Sequence, residues 1–336
     1  MKWKLDPVTR PPKPDEFALI ARFLAPLAQG ETGAFGLLDD GAIVDIGQGQ
    51  RLVATADALI EGVHFLSSDP PELVGRKLLR VNLSDLAAMG ATPFAYLLTM
   101  ALREQGAPNW VEAFARGLAA DQSEFGVTLI GGDTTATHGP ISLSVTALGR
   151  VSPEGGLLRS GARAGDRIFV SGTIGDSAMG LKSLTDNLAG LGEKDRTYLE
   201  RRYRLPEPRI SLGRQLLGLA TAAIDVSDGL VGDLEHICSA SGVGATVELT
   251  CVPMSPAVQA AVEGDPKLAE IAIAGGDDYE LLFTAPVDKR TAIEAAVRDS
   301  GVPVTEIGTV ETGQVVVILG QNGNPLALKH HGYRHF

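Results

Sequence analysis

Two hydrophobic rhythms alternate along the chain. After a Pro-rich arm over residues 1–15, Phe17, Ile20, Phe23, Leu24 and Leu27 recur at helical spacing. A glycine-bearing loop, Gln29 to Leu38, leads through Asp39-Asp40-Gly41 into an apolar run. That run, Ala42–Ile46, and those at Leu52–Ala58, Phe94–Leu102, Val127–Ile130 and Ile141–Gly149 each predict a strand. Leu73, Lys77, Leu78 and Val81 carry a helix into Asn82-Leu83-Ser84-Asp85-Leu86-Ala87-Ala88-Met89-Gly90. Asp69 is its expected cap, and Pro70 falls in its first turn. A second helix is predicted over Trp110–Phe125, and Gly131-Gly132-Asp133 reads as a turn.

Between Val151 and Gly165 the composition shifts to Pro, Gly, Ser and Arg. A chain of 336 residues is long for one core, so two domains are expected, 1–150 and 151–336. The second half predicts strands at Arg167–Ser171, Ala222–Val226, Ala245–Leu249, Glu280–Thr284, Val304–Thr309 and Val315–Leu319. Helices are expected at Asp176–Leu188, Pro208–Leu219, Asp228–Ser239 and Val287–Asp299, while Leu191–Arg204 reads as a charged, exposed excursion. Strands and helices mix in both halves, which is an α/β or α+β arrangement.

Composition narrows the function. A net charge of −12 leaves no cationic excess to displace counterions, so nucleic acid is not an expected partner. Cys238 and Cys251 give no disulfide framework and fit a reducing cytoplasm. Lys2 and Lys4 precede no apolar run before Pro11-Pro12-Lys13-Pro14, so no signal peptide is expected, and no run of about 18 apolar residues predicts a membrane span.

The distinctive chemistry is acidic. Asp40, Asp57, Asp85, Asp133, Asp225 and Asp228 each end or border an apolar run and sit near Gly, Ser or Thr. One alternative is local: an Asp at a helix start caps backbone amides, which would account for Asp176 and Asp228. Together they point to one shared site of hard oxygen ligands, suited to Mg²⁺ and phosphate. Zinc-type Cys and His spacing is absent. Gly175-Asp-Ser-Ala-Met-Gly180-Leu181-Lys182-Ser183 is one residue too long for a phosphate-binding loop and reads as a tight strand-to-helix turn. Asn82-Leu-Ser-Asp85 and Asp225-Val-Ser-Asp228 echo each other, either as a trace of related halves or as local Ser-Asp chemistry at helix starts and turns.

Several stretches, in order, resemble the thiamine-monophosphate kinase family. They are Leu38-Asp39-Asp40, Thr55-Ala56-Asp57, Gly62-Val63-His64-Phe65, Asn82–Gly90, Gly131-Gly132-Asp133-Thr134 and Arg159-Ser160-Gly161. Asp225-Val226-Ser227-Asp228-Gly229-Leu230, Gly275-Gly276-Asp277-Asp278-Tyr279-Glu280-Leu281 and the final Gly332–Phe336 complete the set. The resemblance implies the two-domain fold shared with aminoimidazole ribonucleotide synthetase, with N-terminal domains pairing in a homodimer. It also implies ATP-dependent phosphorylation of thiamine monophosphate. Residue by residue, it places Asp40, Thr55, Asp57, Asp85, Asp133, Asp225 and Asp228 on several Mg²⁺ ions, with Asp85, Asp225 and Asp228 central to catalysis. Gly132, Asp133, Arg159 and Ser227 would contact ATP, and His64, Asp277 and His330 the thiamine substrate. Leu38 stands where the family often has Gly, Ala56 where it has Thr, Asp277 where it has Glu, and His330 where it has an aromatic residue.

The chemistry needs no general base. A phosphate monoester has a second pKa of about 6 and is already largely ionised at neutral pH. Two competing readings are another synthetase of the same superfamily and a metal-dependent phosphohydrolase activating water. A selenophosphate-type enzyme would need an early reactive Cys, and none precedes Cys238.

Overall fold

The computed structural model describes residues 19–30, 46–103, 107–186, 188 and 190–333. Asp40 and all but the last residue of the expected Ala42–Ile46 strand lie outside them.

The chain builds two sheets on either side of one buried helix. The first sheet contains β1 (Arg51–Ile60), β2 (Thr92–Leu102), β3 (Thr128–Ala136) and β4 (Ser142–Val151), in the order β1-β4-β2-β3. β1–β4 and β4–β2 are antiparallel and β2–β3 is parallel. Strict alternation along β4 turns Leu143, Val145 and Ala147 to the core, and the same face of β1 presents Val53, Thr55, Asp57 and Leu59. Polar residues at two core-facing positions already mark β1 as more than scaffold.

Helix α1 (Pro71–Ala88) covers that face, with Pro71 in the first turn. It is buried nearly all round because it packs on the first sheet and also on the second unit. Helix α2 (Ala107–Phe125) lies beside it. A Cβ at Gly117 would stand 2.0 Å from the Glu72 carbonyl oxygen and one at Gly75 2.5 Å from that of Phe114, so the crossing requires both glycines.

The second unit is a six-stranded sheet ordered β10-β7-β9-β5-β8-β6: β5 (Arg167–Ser171), β6 (Ala222–Asp225), β7 (Gly244–Glu248), β8 (Leu281–Ala285), β9 (Val304–Glu311) and β10 (Val316–Leu319). Every residue of β6 and β8 is buried. Around it lie α3 (Asp176–Asp186), α4 (Glu193–Arg204), α5 (Ile210–Gln215), α6 (Leu230–Ser241), α7 (Pro256–Gly264), α8 (Leu268–Ala274) and α9 (Arg290–Ser300). The segment joining the units is hydrogen-bonded to both: Leu157 N donates to Met89 O at 3.0 Å, and Ala223 N donates to Leu158 O at 2.9 Å.

Several expectations need correction. Asp69 does not cap α1; its carboxylate accepts from Leu66 N and Arg204, and Pro70 occupies the cap position. Gly131-Gly132-Asp133 is not a turn, because β3 runs through it with a register shift opposite Tyr96 and Leu97. Leu191–Arg204 is not an exposed excursion: α4 buries Leu199, Arg202 and Tyr203, and Arg202 pairs with the buried Glu280 at 2.8 Å. The expected first helix is, among the described residues, a π turn over Ile20–Leu24 followed by a 3₁₀ turn over Ala25–Ala28. The echoed motifs sit in unlike settings, one inside α1 and the other at the end of β6.

Candidate active site

Between the two units opens a cleft of about 1640 Å³. Thr55, Asp57, His64, Asp85, Arg159, Asp225, Ser227, Asp228, Asp277 and His330 all line it. The sequence therefore foresaw most of its polar wall, drawn from β1, α1, the joining segment, the end of β6 and the loop before β8.

α1 holds the acidic floor together. Thr55 Oγ1 donates a short hydrogen bond to Asp85 Oδ2, fixing β1 to the helix. Asn82 donates to Leu78 O at 2.9 Å and accepts from Asp57 N at 3.0 Å, which sets the height of Asp57 against the helix. Ser84 Oγ donates to Asp225 Oδ2 at 2.7 Å, across the boundary between the units. The Asn and Ser of the Asn82–Gly90 stretch thus aim the carboxylates of other elements.

The loop after β6 is held equally firmly. Asp228 does not cap α6; Gly229 is the cap residue, and no side chain caps there. Instead Asp233 Oδ2 accepts from Asp228 N and Gly229 N at 3.0 and 3.1 Å. Asp277 N donates to Ser227 O and Tyr279 N to Val226 O, each at 2.8 Å. A Cβ at Gly276 would meet Ser227 O at 2.2 Å, so this approach requires glycine. Asp277 and Tyr279 are left with φ of 72° and 52°.

The carboxylates crowd one another. Burial, followed by the charges of Asp85, Asp228 and Asp277, pushes Asp57 up to about 6. Burial raises Asp85, opposed by its Thr55 hydrogen bond and the Arg159 guanidinium. Burial, then the Asp85 charge, lifts Asp225 well above the usual carboxylate range. Burial and Asp228 push Asp233 up to about 7. Asp57, Asp85 and Asp225 all resist ionisation, a strain that a divalent cation would relieve.

The turn that resembles a phosphate-binding loop is already occupied by the protein. Gly175 N and Ser177 N, at the start of α3, donate to the buried Asp278 carboxylate at 2.7 and 3.1 Å. An anion site there is filled by a side chain.

His64, Tyr203, Asp277, Lys329, His330, His331 and Tyr333 complete the lining of the cleft. His64 Nδ1 accepts from Ile60 N at 3.0 Å. The C-terminal segment rests on the acidic loop through Tyr333 N to Asp228 O at 2.9 Å.

Gly132 and Asp133 do not line this cleft. They lie on the edge strand β3, exposed, with Asp133 in register with Thr99. Through Ser144 that row reaches Ala58 on β1, three strand spacings or about 14 Å away. Residues that sequence reasoning did not select include Lys77, Ser84, Asn82 and Asp233. Their signal was polarity inside otherwise apolar helical faces.

Comparison with known proteins agrees with this architecture. Residues 38–151 match the AIR synthase related protein N-terminal domain, and residues 163–320 its C-terminal domain. A thiamine-monophosphate kinase of Caulobacter vibrioides is 45% identical over 309 residues, covering 90% of this chain and 86% of its own. The crystal structure of thiamine-monophosphate kinase from Stenotrophomonas maltophilia superposes with a TM-score of 0.82 at 41% identity, covering 93% of this chain and 98% of that one. AaThiL complexed with AMPPCP and TMP superposes with a TM-score of 0.76 at 34% identity, over 91% of this chain and 98% of that one.

Proposed function

This chain belongs to the thiamine-monophosphate kinase family of AIR synthase related proteins, and from that premise we propose that it transfers the γ-phosphoryl group of ATP to thiamine monophosphate. The products are thiamine diphosphate and ADP, in the cytoplasm. The observation that carries this reading is the floor of Asp57, Asp85, Asp225 and Asp228 with Thr55, drawn from both units to line one cleft.

The donor set fits Mg²⁺. Carboxylates and a hydroxyl are hard oxygen ligands, and their raised proton affinities express an unmet need for positive charge. Asp85, Asp225 and Asp228 would hold the ions nearest the transferring phosphates, joined by Thr55, Asp57 and, from outside the described residues, Asp40. Bound Mg²⁺ would neutralise the phosphate oxygens of donor and acceptor and draw them into line. Arg159 and Ser227 would contact the nucleotide. The acceptor oxygen is ionised without help, so the protein's part is positioning and electrostatics. This accounts for a wall rich in Asp. Transfer is direct, with no phospho-enzyme. His64, Asp277 and His330 face the thiamine end.

We divide the chain into an ATP-binding and dimerising unit, 1–150, and a unit closing the cleft, 151–336. The outer face of the first sheet supports a homodimer: Leu52 and Leu97 are 47% and 38% exposed there, beside the small Ala54, Ala56 and Ala58. Gly132 and Asp133 border that face, so their nucleotide and metal contacts would be made across the dimer. The direct test incubates the chain with ATP, Mg²⁺ and thiamine monophosphate and separates the products. Thiamine diphosphate with stoichiometric ADP supports the reading; equal ADP release without acceptor points to hydrolysis.

A further inference from the structure

Lys77 is 2% exposed, in the middle of α1, with its ammonium against the cleft-lining Asp277 and His64. A lysine so deeply buried is costly unless its charge and donors are satisfied. Here they are satisfied by cleft-lining residues alone. Nζ donates to Asp277 Oδ2 at 2.8 Å and to His64 O at 3.0 Å, and it lies 3.8 Å from the centre of the Tyr203 ring. Tyr203 in turn donates its hydroxyl to His64 O at 3.3 Å. These partners come from the β1–α1 connection, from α4 and from the loop before β8.

Asp277 is the member with most freedom to go wrong. Its backbone is left-handed, a conformation that non-glycine residues adopt only when their surroundings impose it. Its side chain is 29% exposed and would otherwise swing into the cleft. Lys77 takes Oδ2 from behind, and the Tyr279 hydroxyl takes Oδ1 at 3.1 Å. Between them they fix the carboxylate's plane.

We infer that Lys77 is a positioning residue for acceptor recognition: from the first unit it fixes Asp277, the His64 backbone and the Tyr203 ring as one surface against the thiamine end of the substrate. The inference rests on the kinase reading of the site, and wild-type thiamine diphosphate formation tests that reading separately.

The experiment compares wild type, Lys77→Met, Lys77→Arg, Asp277→Asn and the Lys77→Met/Asp277→Asn pair, with KM measured for each substrate. Lys77→Met is expected to raise the KM for thiamine monophosphate roughly tenfold or more while the KM for ATP stays within about twofold. Lys77→Arg keeps the charge but not a compact ammonium, so it should show the same split more mildly. The double variant should fall clearly short of the sum of the two single variants, because Lys77 acts in large part through that carboxylate. An unchanged acceptor KM in the folded variants, a parallel rise in both KM values, or fully additive effects in the pair would each overturn the inference. So would failure of both Lys77 variants to fold, which would make the lysine purely structural.

Discussion

Ser84 and Asp225 stand 141 residues apart and share a buried 2.7 Å hydrogen bond. One belongs to the helix covering the first sheet and the other ends a strand of the second. The acidic floor therefore exists only when both units are docked, and the proposed function gives Asp225 and Asp277 different work.

That division is testable. Asp225→Asn should lower kcat and shift the Mg²⁺ dependence to higher concentration, because the lost charge acts on the transferring phosphates. Asp277→Asn should chiefly raise the KM for thiamine monophosphate, a contact alike in ground and transition states. Titrating Mg²⁺, ATP and acceptor against each variant checks this. The same pattern in both would collapse the distinction.

Asp85→Asn should reduce turnover by about two to three orders of magnitude while the chain stays folded. Asparagine still offers an oxygen to Thr55 and removes one charge from a group that burial already holds above its usual range. The ion-free variant should therefore melt no lower than wild type at neutral pH. Steady-state rates and thermal melts decide, and wild-type turnover would sink the idea.

The crowded carboxylates give stability a characteristic pH dependence. Asp57 moves from an ordinary 3.8 up to about 6 on folding, so the folded chain holds that proton more tightly. Its contribution is complete below about pH 3.8 and lost as the pH rises through about 6. Without divalent cations, wild type should lose more stability between pH 4.5 and 7 than Asp57→Asn does. MgCl₂ should raise the wild-type Tm more at pH 7.5 than at pH 5. Equal slopes in melts of the two proteins would contradict the assignment.

Light scattering at micromolar concentration should give twice the 35.1 kDa chain mass. Leu52→Glu with Leu97→Glu, on the open face of the first sheet, should give the single-chain mass without lowering helix and strand content by circular dichroism. A wild-type monomer would remove the proposed pairing.

The strands at Arg167–Ser171 and Phe94–Leu102 were legible because burial writes itself as apolar runs. So were Asp57, Asp85, Asp225 and Asp228, whose small polar neighbours set them apart, whereas the same signal also picked out Asp133, which lies away from the cleft. Lys77 and Arg202 were not legible as buried ions, because only tertiary contact shows the carboxylate that pulls each inward. Gly131-Gly132-Asp133 reads as a turn because glycine is usually punctuation, yet here it carries a strand past a bulge. Among the Val53, Leu97 and Leu143 strand positions, two face the core and only Leu97 faces out, a matter of register that apolar runs do not reveal.

The segment between the units is stitched to each of them at adjacent residues, Leu157 to Met89 and Leu158 to Ala223. A linker bonded in this way has no slack for a wide hinge. Substrate entry would then fall to the cleft-edge loops, among them the C-terminal stretch resting on Asp228, while the acidic floor keeps its shape. Where product release limits turnover, that rim would set the pace over a rigid bowl, and cutting the stitches would loosen the bowl before it freed the rim.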